Sequence, residues 1–243
     1  MGGYFLERNS LLFLRIQRHM IRAAIFDVDG TLIDSVDAHA RAWQLALKHL
    51  GHAVPFERVR HQIGKGGDQL MPVFLSKEEL ERCGEALEKY RADLYKREFM
   101  PSVRPFPEVR ELFLRMRESG VQTVLASSAK GDELQHYKRL CRIDDLIEGN
   151  TSADDAERSK PHPDIFEAAL SKLDGVQPRE AMVVGDTPYD VIAAKRAGVQ
   201  SIGMLCGGFP EDELREAGCI AIYRDPADML ANFENSVFGR KAA

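Results

Sequence analysis

Five short runs of apolar residues, rich in β-branched side chains, recur along the chain and are separated by more polar stretches. Continuous runs of this length predict strands that are buried on both faces. They occupy residues 21–26, 121–126, 181–184, 201–205 and 219–223. Because strands of this kind belong to parallel sheets covered by helices, the pattern predicts an α/β fold with a doubly wound parallel sheet.

Several of the intervening stretches carry apolar residues at helical spacing, so that each forms one apolar face. Three such faces consist of Val109, Leu112, Phe113 and Met116, of Ile165, Phe166, Ala169, Leu170 and Leu173, and of Val191, Ile192 and Ala194. Strands that alternate with helices place the ligand site of the sheet at the carboxyl ends of its strands.

The alternation breaks between residues 35 and 103, where only helical patterns occur. One predicted helix covers residues 36–50, and a longer one is marked by Leu80, Cys83, Leu87, Tyr90 and Leu94. A proline-rich segment at residues 101–107 then indicates a boundary. We therefore expect a small all-helical cap at residues 35–103, inserted into a catalytic core of residues 20–34 and 104–243.

Composition and charge exclude several classes of protein. The 243 residues are 44% hydrophobic, with a net charge of −5 and no block of like charges, which argues against a nucleic-acid partner. No apolar run approaches the roughly 18–20 residues of a membrane span. The cysteines are far apart in the sequence, which predicts reduced thiols and a cytoplasmic protein. Residues 1–19 lack the features of a signal peptide and are expected to be an N-terminal extension.

Polar side chains follow three of the predicted strands and precede one predicted helix, and these four places should lie at the same edge of the sheet. They are Asp27 and Asp29, Ser127 and Ser128, Lys160, and Asp186 and Asp190. Clustered carboxylates repel one another unless a cation lies among them, and oxygen ligands favour Mg²⁺. Because Mg²⁺, lysine and hydroxyl groups all bind phosphoryl oxygens, the set predicts a Mg²⁺ site for a phosphorylated substrate.

Taken alone, the pair Asp27 and Asp29 has other interpretations. An EF-hand loop also begins with this pattern, but its glycine stands at the sixth position, whereas Gly30 is at the fourth. An aspartate after a strand can also cap a turn or a helix. The polar residues at the other three places favour an active site over either alternative.

At these positions the sequence resembles the haloacid dehalogenase superfamily. The segments DVDGT at residues 27–31, Ser127 after the second strand, SKPHPDIF at residues 159–166 and GDTPYD at residues 185–190 are similar to its four motifs in order and spacing. The helical insert resembles the cap of the subclass that includes phosphoglycolate phosphatases and β-phosphoglucomutases. The resemblance spans residues 21 to about 225 and implies the superfamily's Rossmann-like core.

The resemblance implies a role for each acid. Asp27 is the expected nucleophile, which forms an aspartyl phosphate, and Asp29 is the expected acid and base. Mg²⁺ would be held by Asp27, Asp186 and the backbone carbonyl of Asp29. Asp190 would reach the metal through water or orient its neighbours.

The resemblance also implies how the substrate is bound. Ser127 would donate to a phosphoryl oxygen, and Lys160 would neutralise charge on the nucleophile and the phosphoryl group. Gly30 would allow backbone N–H groups to approach closely, and Ser128 is a further candidate for binding the substrate. A small phosphorylated metabolite is the expected partner of a monomer or homodimer.

Asp29 distinguishes between branches of the superfamily, because its dehalogenases and phosphonate-cleaving members lack a second aspartate. The choice between a phosphatase and a β-phosphoglucomutase-like enzyme is less direct. The segments at residues 39–43 and 125–131 are similar to the mutases. However, mutases of that type carry Glu-Asp where this chain has Gly185 and Asp186. We therefore expect a phosphatase and keep the mutase as the alternative.

The cap offers two candidates for binding the substrate. Lys65 lies in the glycine-rich segment IGKGGDQLM at residues 63–71, where it would meet a second anionic group or, alternatively, be a solvated lysine in a surface turn. His39 shares a helical face with Trp43; we expect the histidine near the site and the tryptophan in the core. A non-enzymatic receiver module also uses a phosphorylated strand-end aspartate, but it lacks a cap.

Overall fold

The structure, a computed structural model, describes residues 20–239. Its main sheet has six parallel strands, which are β1 (Ala23–Phe26), β4 (Gln122–Ala126), β5 (Gly149–Thr151), β6 (Ala181–Gly185), β7 (Gln200–Met204) and β8 (Ala221–Tyr223). Their order across the sheet is β5-β4-β1-β6-β7-β8. Two further short strands, β2 (Ile33–Asp34) and β3 (Arg104–Pro105), pair with each other in antiparallel fashion.

The α-helices of the described residues fall into two groups. Those of the helical insert are α1 (Val36–His49), α2 (Phe56–Arg60), α3 (Gly67–Leu70) and α4 (Lys77–Leu94). Those that follow β3 are α5 (Val109–Glu118), α6 (Gly131–Cys141), α7 (Asp164–Leu170), α8 (Pro188–Arg196), α9 (Glu211–Ala217) and α10 (Pro226–Ala231).

Strand β1 lies inside the sheet, between β4 and β6, and contributes to both faces of the core. Ala24 and Phe26 belong to a hydrophobic cluster that includes side chains of α5 and α6. Ala23 and Ile25 belong to a second cluster with side chains of α7 and α8. Because helices cover both faces, the strand needs an apolar residue at every position. The chain continues from β1 to β4 on one side and later to β6 on the other, which leaves a crevice at the carboxyl end of β1.

The helical insert between β2 and β3 has a hydrophobic cluster of its own. Trp43 and Leu47 of α1 pack there with Val59, Leu70 and Leu87 from the other three helices. A π-helical turn at Tyr95–Phe99 follows α4 and leads the chain back toward β3. The arrangement is that of a Rossmann-like core with an inserted all-helical cap. The division of the whole chain at residues 34/35 and 103/104 stays a prediction.

The five predicted strands are confirmed, with bounds that differ by one or two residues at most ends. Strand β5 was not predicted, because its sequence Gly-Asn-Thr contains no apolar run; it is held at the edge by parallel pairing with β4. The predicted extension at residues 1–19 lies outside the described residues. All four cysteines are free thiols. No helix in the described part of the chain has the length and apolar character needed to cross a membrane.

Candidate active site

Asp27 directly follows β1 and stays in register with the sheet. Its backbone N–H donates to the carbonyl of Val184 at 2.8 Å. The chain then turns sharply, because the carbonyl of Val28 accepts from the N–H groups of Leu32 and Ile33 at 2.8 and 3.0 Å. This turn leaves the Asp27 side chain at the carboxyl end of β1, where it is only 6% exposed.

Lys160 joins two of the predicted acids. Its ammonium contacts Asp27 Oδ1, lies 2.8 Å from Asp190 Oδ1 and donates to the carbonyl of Ala126 at 3.3 Å. The other carboxylate oxygen of Asp190 accepts from the backbone N–H and the hydroxyl of Thr187 at 3.0 and 2.7 Å, which caps α8. One oxygen of Asp190 is therefore hydrogen-bonded to Thr187 and the other is ion-paired with Lys160, so this carboxylate holds Lys160 in place.

Asp186 lies at the end of β6 with one oxygen unused. Its Oδ1 accepts from the hydroxyl of Thr31 at 3.1 Å, whereas its buried Oδ2 has no hydrogen-bond partner. The backbone closes tightly around this oxygen, since a Cβ added at Gly207 or Gly30 would lie 1.7 or 2.4 Å from it. Gly30 also has φ +81, so the turn itself favours glycine at that position. A buried, unpartnered carboxylate oxygen calls for a cation.

The carboxylates of Asp27, Asp186 and Asp190 form what we call the edge cluster, in which one oxygen of each lies within 4.8 Å of the others. Burial raises the pKa of Asp27 to about 7, opposed by Lys160 and reinforced by Asp190. Burial and the charges of Asp27 and Asp190 raise the pKa of Asp186 well above its usual value. Burial by itself would lower the pKa of Lys160, but the charges of Asp190 and Asp27 outweigh that effect and raise it. One ammonium therefore faces three carboxylates.

This donor set fits a hard divalent cation. Its available ligands are carboxylate oxygens, the type that Mg²⁺ prefers. The added positive charge would offset the charge of three carboxylates that have only one ammonium among them, and would favour their ionised form despite burial. Asp27 and Asp186 are the side chains positioned to hold it.

Asp29 lies two residues after Asp27 in a different environment. Its Oδ1 accepts from the hydroxyl of Ser35 at 2.6 Å and lies 3.0 Å from Nε2 of His39. Burial by itself would raise its pKa, but His39, Ser35 and Lys160 outweigh that effect and lower it. Asp29 is therefore kept ionised by groups of the protein itself.

His39 is surrounded by three residues that the sequence did not single out. Glu133 Oε1 lies 3.6 Å and the hydroxyl of Tyr137 3.3 Å from its Nε2, and the ring of Tyr95 stacks on the imidazole at 3.9 Å. The only available signal was the spacing of Glu133 and Tyr137, four residues apart on α6. Tyr137 is 98 residues away from His39 in the sequence. No local pattern reveals a contact over that separation.

A cavity of about 270 Å³ lies between the cap and this edge of the sheet. Asp27 and Asp29 line it from the core, together with Ser128. His39 and Lys65 line it from the cap. Lys65 Nζ donates to Gln62 Oε1 at 2.6 Å and lies 4.5 Å from the centre of the Tyr189 ring.

The structure thus brings most of the predicted residues together. The edge cluster contains Asp27, Asp186 and Asp190, with Lys160 in contact with two of these acids and Gly30 against Asp186. The cavity is lined by Asp29, His39, Lys65 and Ser128. Ser127 is fully buried. Its Oγ accepts from the backbone N–H of Ala129 at 3.0 Å, and it is not among the residues that line the cavity. The roles assigned to all these residues stay predictions. Trp43 is buried in the cap core, as expected.

Comparisons with known proteins agree on one family. The model of the family described as haloacid dehalogenase-like hydrolase matches residues 24–204. A phosphoglycolate phosphatase from Yersinia pestis is 31% identical over 192 residues, 77% of this chain and 82% of that protein. The pyrophosphatase PpaX from Bacillus velezensis is 30% identical over 185 residues, 76% of this chain and 83% of that protein. A crystal structure of a hydrolase from Pseudomonas syringae has a TM-score of 0.79 and 30% identity, and covers 88% of this chain and 98% of its own.

Proposed function

This chain belongs to the haloacid dehalogenase-like hydrolases, and from that premise we propose a Mg²⁺-dependent phosphatase that acts on a small phosphorylated metabolite. The observation that carries the proposal is the buried edge cluster, in which Asp27 contacts Lys160 while Asp186 keeps an unpartnered oxygen beside it. With a cation bound at this cluster, the carboxylate of Asp27 can act as a nucleophile toward a phosphate ester. Curated relatives named as phosphatases support the same class of reaction.

In the first half of the proposed reaction, a carboxylate oxygen of Asp27 attacks the phosphorus atom. A bond forms between this oxygen and phosphorus as the bond to the ester oxygen breaks. Asp29, which is ionised in the free protein, takes up a proton as the anionic ester binds beside it. In this acid form it gives the proton to the departing alkoxide, which leaves as an alcohol. Lys160 offsets negative charge on Asp27 and on the phosphoryl oxygens.

In the second half, a water molecule attacks the phosphorus atom of the aspartyl phosphate. Asp29, now a carboxylate, takes a proton from that water, so the second half restores the acid form that was used in the first half. The bond between Asp27 and phosphorus breaks, and inorganic phosphate leaves. Asp29 lines the cavity next to Asp27, which suits both proton transfers.

When bound, Mg²⁺ supplies positive charge that stabilises the phosphoryl oxygens as the reaction proceeds. Asp27 and Asp186 would hold it by their side chains. Asp190 is better suited to positioning, because its oxygens are engaged by Lys160 and Thr187.

The environment of Gly185 favours a phosphatase over the phosphomutase alternative. The family resemblance implies that a β-phosphoglucomutase-like enzyme carries glutamate at that position. Here a Cβ added at Gly185 would lie 2.6 Å from Cγ of Asp190, a distance that real Cβ atoms do not tolerate. The space that a glutamate would need is filled by Asp190, which holds Lys160 instead.

The dimensions and lining of the cavity indicate the class of substrate. At about 270 Å³, the cavity is slightly smaller than most small-molecule sites, which hold roughly 300–1,000 Å³. Lys65, Arg91, Lys96 and Lys130 bring cations to its wall. A compact phosphate ester such as phosphoglycolate or a sugar phosphate fits these features, and pyrophosphate is a further candidate because of the relative named for it.

The test is phosphate release with and without Mg²⁺ from phosphoglycolate, pyrophosphate, sugar phosphates and nucleotides. We expect Mg²⁺-dependent release from at least one small ester, and no release by Asp27→Asn. Equal phosphate release by the wild type and Asp27→Asn would contradict the proposal. A β-glucose 1-phosphate isomerisation assay, primed with a hexose bisphosphate, examines the alternative: fast conversion with little free phosphate would establish the mutase.

A further inference from the structure

Glu133 is a buried acid that the proposed reaction does not use. It lies in the first turn of α6, is 4% exposed and belongs to the lining of the cavity. Burying a carboxylate is unfavourable unless partners compensate for the lost solvation. Its nearest partners are Tyr137, one turn later on α6, and His39, from the cap. His39 contacts Asp29, and Tyr137 contacts His39.

The contacts around Glu133 form a connected network. Tyr137 donates its hydroxyl to Glu133 Oε1 at 3.4 Å and is itself in contact with the hydroxyl of Tyr95. The same Tyr137 oxygen lies 3.3 Å from Nε2 of His39, and Nε2 lies 3.0 Å from Asp29 Oδ1. Glu133 therefore reaches Asp29 through two residues.

The contacts of this network are consistent with one set of hydrogen-bond directions. Three oxygens, from Asp29, Tyr137 and Glu133, lie around one ring nitrogen of His39. A ring N–H makes only one strong hydrogen bond. Asp29 Oδ1, at 3.0 Å, is the nearest acceptor for the N–H of His39. The hydroxyl of Tyr137 is then free to donate to Glu133. The proton is assigned to Nε2 on this ground, from the acceptors around it.

Two further features fix the imidazole in this orientation. The Tyr95 ring stacks on it with an angle of 11° between the planes. His39 is itself only 7% exposed. Tyr95 and His39 come from the predicted cap, whereas Asp29, Glu133 and Tyr137 come from the predicted core, so the network exists only where the two meet.

We propose that Glu133 is a positioning residue for Asp29: through Tyr137 and His39 it holds the Asp29 carboxyl group where the leaving oxygen needs a proton. The inference rests on the proposed function, because it assumes that Asp29 is the general acid. It adds a residue from α6, outside all four sequence motifs, to the machinery of proton transfer.

The test uses substrates that differ in their need for a general acid. An alkyl phosphate such as phosphoglycolate or glucose 6-phosphate releases a basic alkoxide, whereas p-nitrophenyl phosphate releases a stable phenolate. The ratio kcat/KM covers only the steps up to departure of the leaving group, so the water attack that Asp29 also assists does not enter it. Glu133→Gln should lower kcat/KM for the alkyl esters about 10- to 100-fold, but for p-nitrophenyl phosphate less than about threefold.

A matched control and a double mutant separate positioning from general damage. Glu111→Gln makes the same substitution at an exposed acid in the first turn of α5, outside the lining of the cavity, and should leave the ratio between the two substrates unchanged. In a His39→Asn background, Glu133→Gln should cause no further loss, because residues that act in series give non-additive effects.

Each remaining outcome overturns the proposal. Equal losses on both substrates would show that Glu133 has only a structural role, and full multiplication of the losses in the double mutant would show that it acts independently of His39. If Glu133→Gln does not fold, Tyr137→Phe carries the test, with a smaller loss selective for alkyl esters expected and a non-selective effect contradicting it. Failure of the proposed function is distinguishable, since the wild type would then hydrolyse neither substrate.

Discussion

Two clusters of carboxylates lie side by side at the carboxyl end of β1, and they are neutralised in opposite ways. The edge cluster of Asp27, Asp186 and Asp190 has one lysine for three acids. The second cluster, of Asp29, His39 and Glu133, is supplied with an imidazole and with hydroxyl groups from Ser35 and Tyr137. Two aspartates only two residues apart thus have pKa values shifted in opposite directions.

The comparison gives a physical reason for the different tasks that the proposed reaction assigns to these neighbouring acids. Asp27 belongs to a group whose charge is balanced only when a cation arrives, which couples a nucleophile to metal binding. Asp29 is balanced by residues of the cap and of α6, which couples an acid and base to the arrangement of those elements. In the proposed reaction, environment more than residue type separates the two roles.

The largest effect is expected from disabling the edge cluster at its nucleophile. Asp27→Asn should lower kcat by at least about 10³-fold, because the amide cannot form the covalent intermediate. Circular dichroism and thermal unfolding of the metal-free protein should show a folded chain. Activity within tenfold of wild type would exclude Asp27 as the nucleophile.

Disabling the second cluster should have a smaller and substrate-dependent effect. Asp29→Asn should lower kcat/KM for an alkyl phosphate about 10²- to 10⁴-fold, since general acid catalysis contributes on that scale. The loss for p-nitrophenyl phosphate should be much smaller, because its leaving group needs no proton. A uniform loss on both substrates, measured by steady-state kinetics, would remove the distinction between the two acids.

Metal binding should depend on the edge cluster alone. Saturating the wild type with Mg²⁺ should raise its Tm, with a gain of about 2.7 kcal/mol in stability when Mg²⁺ reaches a hundred times its Kd. Asp186→Asn should abolish most of this rise, whereas the exposed Asp212→Asn should retain it. Scanning calorimetry checks both variants, and an unchanged Mg²⁺ response in Asp186→Asn would place the metal elsewhere.

A separate effect, which does not involve catalysis, concerns the stability of the metal-free protein as pH changes. The pKa of Asp27 is about 7 in the folded chain against its ordinary value of 3.8, so between these values the folded state keeps a proton that the unfolded state has lost. Stability therefore falls as pH rises through this window, by up to about 1.4 kcal/mol per pH unit. The lowered pKa of Asp29 acts below the window.

Urea unfolding between pH 5 and 8 measures this dependence. The wild type should lose stability relative to Asp27→Asn as pH rises, and the difference should level off above about pH 7. Mg²⁺ should reduce the slope. A difference that stays constant, or that favours the wild type at higher pH, would contradict the account of the edge cluster.

The edge cluster was largely predictable from the sequence, because each member follows a strand or precedes a helix of the sheet. Parallel strands deliver their carboxyl ends to one place, so Asp27, Asp186 and Lys160 converge for topological reasons. The engagement of Asp190 by Thr187 was not predicted, although a helix cap is a local feature. The role of Ser127 stays a prediction: its side chain is fully buried and accepts from the N–H of Ala129, whereas the adjacent Ser128 lines the cavity.

The second cluster was only partly predictable. His39 was expected near the site, but Glu133, Tyr137 and Tyr95 were not, because their contacts join the cap to α6 across long stretches of sequence. Whether an acid on a helix faces solvent or a buried histidine depends on how two units pack together. Strand β5 was missed for a related reason, since pairing with a neighbour, more than its own composition, makes it a strand.

The central claim, that Asp27 carries the phosphoryl group between two displacements, is tested most directly by the stereochemical course at phosphorus. A phosphate ester made chiral at phosphorus with oxygen isotopes and sulfur is hydrolysed in isotopically labelled water, and the configuration of the released thiophosphate is determined. Two successive in-line displacements, first by Asp27 and then by water, predict net retention. Net inversion would show that water attacks the substrate directly and would contradict the account.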